Sequence, residues 1–147
     1  MDERVLKLKN PEACERFAKN ATERNRPDLA REAREWSIKL RAKAHGAKTD
    51  AEREYLEAVY AYEEILAKKN GKKTRASRTW QMIKRHGIIK AVERAVDRPR
   101  ETVGYSALVE MGLEGYAFEE VVCRYPELFS DPAIERSRAR IKTPASE

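Results

Sequence analysis

Cysteine and histidine are scarce in this chain of 147 residues: Cys14, Cys123, His45 and His86 are all there is of either. A zinc site of ordinary spacing needs a cluster of such ligands, so none can be drawn, and no metal or other cofactor is expected. Two thiols this far apart read as reduced, half-buried side chains of a cytoplasmic protein, not as a disulfide framework. Long apolar runs are missing as well, and nothing approaches the roughly 20 residues that cross a bilayer. The opening Met1-Asp2-Glu3-Arg4 has neither the apolar stretch nor the small-residue cleavage site of a signal peptide. HExxH, GxSxG and a Walker glycine loop do not occur, so no catalytic residue is assigned.

Glycine and proline are also few, six of each, and most sit at segment edges. Between them lie stretches of Ala, Glu, Lys, Arg and Leu, the strong helix formers. With 41% apolar and 38% charged residues, the composition lies on the polar side of globular. The expectation is an all-α protein of about seven short-to-medium helices.

Start and stop signals place them. Asn10-Pro11 is an N-cap followed by a first-turn proline, and Cys14, Phe17, Ala18 and Ala21 follow at helical spacing. Pro27 opens a second helix carrying Leu29, Ala33, Trp36 and Leu40 on one side, with Gly46 as its stop. Thr49 and Glu52 form a capping box ahead of the stripe Tyr55, Ala58, Val59, Tyr62, Ile65 and Leu66, which ends at Asn70-Gly71. The short connections suit antiparallel neighbours. Residues 1–71 are thus expected as a three-helix bundle, 72–141 as a helical unit packed on it, and 142–147 as a tail. In the second part, Ser77 is expected to cap a helix to His86, which Gly87 interrupts before Ile88–Val96. Further helices are expected near Glu101–Met111 and Tyr116–Arg124, with a last one from Asp131.

What is present in excess is positive charge, and it is concentrated. From Lys68 to Arg100 there are twelve basic residues against two acids, Glu93 and Asp97, whereas the whole chain is only +6. Such clustering is the electrostatic footprint of polyanion binding, because neutralised phosphates release condensed counterions. On a helical wheel Arg78, Gln81 and Arg85 share a face with Lys84 at its border, and Trp80 and Ile83 lie opposite. Met82 falls among the polar residues. Guanidinium and amide groups suit phosphates and base edges.

The expected function is therefore a nucleic-acid-binding module, acting on DNA or RNA. Arg75, Arg78, Lys84, Arg85 and Lys90 would meet the backbone, and Gln81 would supply any base preference. Trp80 is read as core rather than as a stacking platform. The alternative is an adaptor or regulatory subunit docking on an acidic protein surface, with the Tyr55–Leu66 stripe partly exposed. A helical hydrolase or nuclease built from scattered carboxylates ranks below both.

Two resemblances bear on this. Ile83 to Ala91 partly resembles a helix-hairpin-helix phosphate-binding motif, which would imply a backbone-amide contact to DNA. Gly87 and Ile88 match, but Ile89 stands where the second glycine belongs, so Gly87 is read as an ordinary helix stop. Met111-Gly112-Leu113, with Phe118 and Val121, resembles the turn and core spacing of a helix-turn-helix. Its second helix would carry Glu114, Glu119 and Glu120 against one Arg124, the wrong charge for phosphates, so the turn is read as architectural. Arginine–histidine spacing of the HEPN ribonuclease kind is absent at both His45 and His86. Glu63-Glu64 and Glu119-Glu120 are taken as solvated faces.

Overall fold

The computed structural model describes residues 1–97 and 103–142, and the chain is all-α, with no strand among the described residues. Helix α1, Glu3–Leu6, is a single turn that the sequence pattern did not announce. Asp2 caps it by accepting the Arg4 N–H at 2.8 Å, and Val5 is its one buried residue. The indole N–H of Trp36 donates to the Leu8 carbonyl at 2.9 Å, fastening this segment to the helix that begins at Pro27.

Helix α2, Pro11–Glu23, starts as expected, with the Asn10 side chain accepting the Ala13 N–H at 2.8 Å. It stops at Asn25, whose φ of 60° is the left-handed conformation asparagine tolerates. The Arg26 N–H folds back to the Ala21 carbonyl at 2.8 Å. Helix α3 is Pro27–His45 and helix α4 is Asp50–Asn70. Thr49 caps α4 by accepting the Glu52 N–H at 3.1 Å, while the Glu52 carboxylate takes the Lys48 N–H at 3.4 Å. Gly71, at φ 71°, ends it. Between α2 and α3 the buried side chains are Ala18, Ala21, Leu29, Ala30 and Ala33, small enough for the two helices to lie close.

Beyond Gly71 come α5, Ser77–His86, and α6, Ile88–Val96. Then follow α7, Val103–Glu110, α8, Phe118–Arg124, and α9, Asp131–Lys142, with 3-10 turns at Glu114–Tyr116 and Pro126–Leu128. The expected break at Arg98-Pro99 and the tail after residue 142 lie outside the described residues.

Helix α4 links the two parts of the chain, packing on α3 on one side and on α6, α7 and α8 on the other. Its Ala51, Tyr55 and Ala58 join Val92 and Val96 of α6, Val121 and Val122 of α8, and Phe129 and Ala133 in one core. Its Ala61 joins Ile38 of α3 with Tyr105, Leu108, Leu113 and Ala117 in another. The Tyr55 ring is fully buried and meets Phe129 edge-on at 5.5 Å, an orientation its quadrupole favours. The boundary suggested by the change of charge at Gly71-Lys72-Lys73 is thus crossed by shared apolar packing.

Burial corrects one expectation outright. Glu63 and Glu119 are only 6% exposed, and Glu64 and Glu120 are half-buried, so none of the four is on a solvated face. Glu119 pairs with Arg140 of α9 at 3.0 Å, both side chains inside the protein. Removing one partner of such a pair typically costs about 3–5 kcal/mol. The Glu120 carboxylate accepts from the Tyr105 hydroxyl at 3.5 Å. The connection between α7 and α8 holds Glu114, which is exposed, while the two acids near the start of α8 are committed to the fold. It also runs from Met111 to Ala117 through a 3-10 turn, longer than a helix-turn-helix connection.

Candidate nucleic-acid interface

The sequence expected Ser77 to cap α5. Instead Ser77 is the first helical residue and Ala76 precedes the helix without any side-chain cap of its own. The cap comes from α4: one oxygen of Glu63 accepts the Ala76 N–H at 2.8 Å and the Trp80 indole N–H at 2.7 Å. A carboxylate at this position satisfies an otherwise orphaned backbone donor and faces the positive end of the helix dipole. Hydrogen bonds to a charged acceptor are worth about 1.5–3 kcal/mol each.

This pin matters because α5 has little else. None of its ten residues is buried. Thr79, Trp80, Met82 and Ile83 are half-buried, while Arg78, Gln81, Lys84, Arg85 and His86 are exposed. Met82 is therefore not part of the polar face. With Thr79 it lines a cleft of about 580 Å3, mouth included, whose other walls include Tyr62, Ile65 and Phe118. The sequence placed Met82 among the polar residues, whereas its side chain lies against the cleft wall.

Trp80, expected in the core, is half-buried and packs against rings and a cation at the edge of the fold. The His45 ring stacks on the indole at 5.2 Å between centroids and 15° between planes. Tyr60 approaches it at 5.2 Å with a 54° tilt, and the Arg75 guanidinium lies 5.5 Å from its ring. The Tyr60 hydroxyl is 3.4 Å from His45 Nδ1. Burial pushes the Tyr60 hydroxyl up from its usual range, so it keeps its proton and can donate. Next to it Arg41 lies 6.0 Å from the Tyr60 ring and 3.9 Å from Glu64. Burial raises the Glu64 carboxyl against the pull of Arg41 and Arg34.

Each candidate contact residue has a definite place. Arg75 precedes α5 and leans on Trp80; Arg78, Gln81, Lys84 and Arg85 are on the outer side of α5. Lys90 is exposed on α6, a separate helix that begins after Gly87, so it does not share the α5 row. Gly87 adopts φ 86° and ψ 165°, and its N–H closes α5 on the Ile83 carbonyl at 2.9 Å.

The arginines elsewhere are largely in ion pairs. Arg26 meets Asp28 at 3.0 Å, Arg53 meets Glu57 at 3.3 Å and Arg124 meets Glu54 at 2.9 Å, with Arg4, Arg31, Arg41, Arg136 and Arg140 likewise paired. In the segment from Lys68 to Arg94 the situation is different. Lys68, Lys69, Lys72, Lys73, Arg75, Arg78, Lys84, Arg85, Lys90 and Arg94 are all exposed, and among the described residues none lies within ion-pair distance of a carboxylate. Of the two acids between Lys68 and Arg100, Asp97 is engaged by Arg136. Arg98 and Arg100 lie outside the described residues.

Compared with models of known protein families, with curated proteins and with solved structures, this chain matches none. What it does must be argued from its own residues.

The roles of three residues that matter to this surface were missed in the sequence: Tyr60 was not singled out, Glu63 was taken as part of a solvated face, and His45 was weighed only against ribonuclease-type spacing. Glu63 is 13 and 17 positions from its two donors, so no local pattern could expose it.

The described residues hold no grouping of His, Cys, Asp and Glu suited to a metal ion. Cys14 is buried and Cys123 half-buried, both free thiols, and burial raises the pKa of each. No described helix is long and apolar enough to cross a membrane.

Proposed function

We propose that this chain is a non-enzymatic nucleic-acid-binding module that uses the outer side of α5, with Arg75 before it and Lys90 after it, to meet phosphates. A cytoplasmic place of action belongs to the same proposal. The observation that carries it is the contrast in pairing. Among the described residues, eight of the twelve arginines outside this segment are paired with carboxylates, whereas none of Arg75, Arg78, Arg85 and Arg94 is; the lysines are without an ion pair both inside the segment and outside it. A cation without an internal counter-charge leaves its field to solvent and counterions, the condition under which a phosphate backbone binds by counterion release.

Arg78 and Arg85 supply two planar forks on one side of the helix, and Gln81 between them is the one neutral group in that row able to read a base edge. Glu63 and Trp80 hold the helix at its N-terminal end.

An adaptor docking through an apolar stripe has less support. From Tyr55 to Val59 that stripe is buried, and Tyr60, Tyr62, Ile65 and Leu66 are half-buried. The large apolar side chains that are exposed, Met1, Leu6, Val109 and Leu128, are scattered along the chain.

Reversing two charges tests the proposal. Arg78→Glu with Arg85→Glu leaves the half-buried side of α5 untouched, so the fold is expected to persist by circular dichroism. Retention on DNA and RNA columns at low salt is expected to disappear. A folded double variant that binds as the parent does would remove α5 from the interface.

A further inference from the structure

The ring stack beside α5 says which form of nucleic acid fits. His45 is the last residue of α3, it is exposed, and one face of its imidazole lies flat on Trp80 at 5.2 Å and 15°. Among the described residues Trp80 is the ring stacked on it, Tyr60 reaching only its Nδ1 edge at 3.4 Å. The pair is fixed from below, since the indole N–H is held by Glu63 at 2.7 Å. Cations border the ring cluster: Arg75 lies 5.5 Å from the Trp80 ring and Arg41 6.0 Å from the Tyr60 ring.

We infer that this stack is a platform for an unpaired base, so that the nucleic acid bound is single-stranded. The inference rests on the function proposed above. A duplex keeps its base faces inside its own stack, and only a splayed-out base can lay its face on the outer side of His45. Aromatic platforms interleaved with cations are how single strands are held without sequence preference, each base–aromatic contact being worth about 1–3 kcal/mol. The rings are supplied by α3, α4 and α5, elements on both sides of Gly71, so the platform exists only in the folded chain.

The test compares the full-length protein with His45→Ala and His45→Phe, measuring affinity by fluorescence anisotropy for a labelled 12-nucleotide oligo(dT), an oligo(U) of equal length, and a 12-base-pair DNA duplex. His45→Ala is expected to weaken single-strand binding roughly tenfold in the DNA arm, the RNA arm or both. It leaves the salt dependence unchanged, because no phosphate contact is lost. His45→Phe, which keeps a flat ring without the ring nitrogens, is expected to bind within about twofold of the parent. The duplex is expected to bind more weakly and to be indifferent to His45→Ala.

The inference is overturned if His45→Ala binds single strands like the parent, or if His45→Phe loses as much as His45→Ala. It is equally overturned if the duplex is the preferred ligand. In each of those cases a loss of binding in the Arg78/Arg85 double variant would leave the proposed function standing. No binding of any nucleic acid by the parent protein would remove both.

Discussion

Glu63 is an acid placed beside exposed cations, yet its oxygen is spent on the Ala76 N–H and the Trp80 indole. Two roles therefore predict opposite signs for Glu63→Ala. If the residue acted only through its charge, deleting it would make the α5 region more positive and tighten polyanion binding. As the anchor of α5, its loss leaves a buried backbone N–H without a partner and frees the helix that carries Arg78 and Arg85. We expect nucleic-acid affinity to fall despite the gain in positive charge, together with a stability loss of about 2–3 kcal/mol in urea denaturation. Tighter binding at unchanged stability would contradict the anchoring role. Of this arrangement the sequence showed the row Arg78, Gln81 and Arg85 and the inward Trp80. The anchor was invisible, because a contact across α4 and α5 leaves no periodic trace.

Among the described helices, α5 has no buried residue and is held by specific contacts at its N-terminal end. Helices with a cap written in adjacent residues, at Asn10 and Thr49, started where the sequence placed them. Ser77 failed as a cap because a better acceptor arrives from another helix. Met82 was misplaced for a related reason: its side chain follows the cleft offered by Tyr62 and Phe118, not the polarity of its neighbours on the wheel. The Gly87 stop was legible, and its geometry explains why. At φ 86° and ψ 165° the backbone occupies a region that is essentially reserved for glycine. An added Cβ there would touch nothing within 4 Å, so any cost of Gly87→Ala comes from the backbone alone. That cost is expected at about 1–3 kcal/mol by thermal or urea denaturation, and an unchanged midpoint would mean that the α5–α6 junction relaxes freely.

Over the whole molecule, the division of charge was read from composition, while the division of packing was not. The change at Gly71 separates a mildly acidic part from a basic one, but α4 sends Tyr55, Ala58 and Ala61 into cores shared with the helices beyond it. Such cores assemble from residues dozens of positions apart, and a charge count along the chain carries no information about them. Charge does say what to measure. The central claim is that the cations around α5 neutralise phosphates, and the salt dependence of binding measures this most directly. With about five phosphates met by Arg75, Arg78, Lys84, Arg85 and Lys90, log Kobs for a single-stranded oligonucleotide should fall against log salt with a slope near −3.5. In the Arg78→Glu/Arg85→Glu variant, where any binding remains measurable, the slope should be shallower by at least about 1.4. A slope near zero for the parent, or one that the charge reversal leaves unchanged, would contradict the account.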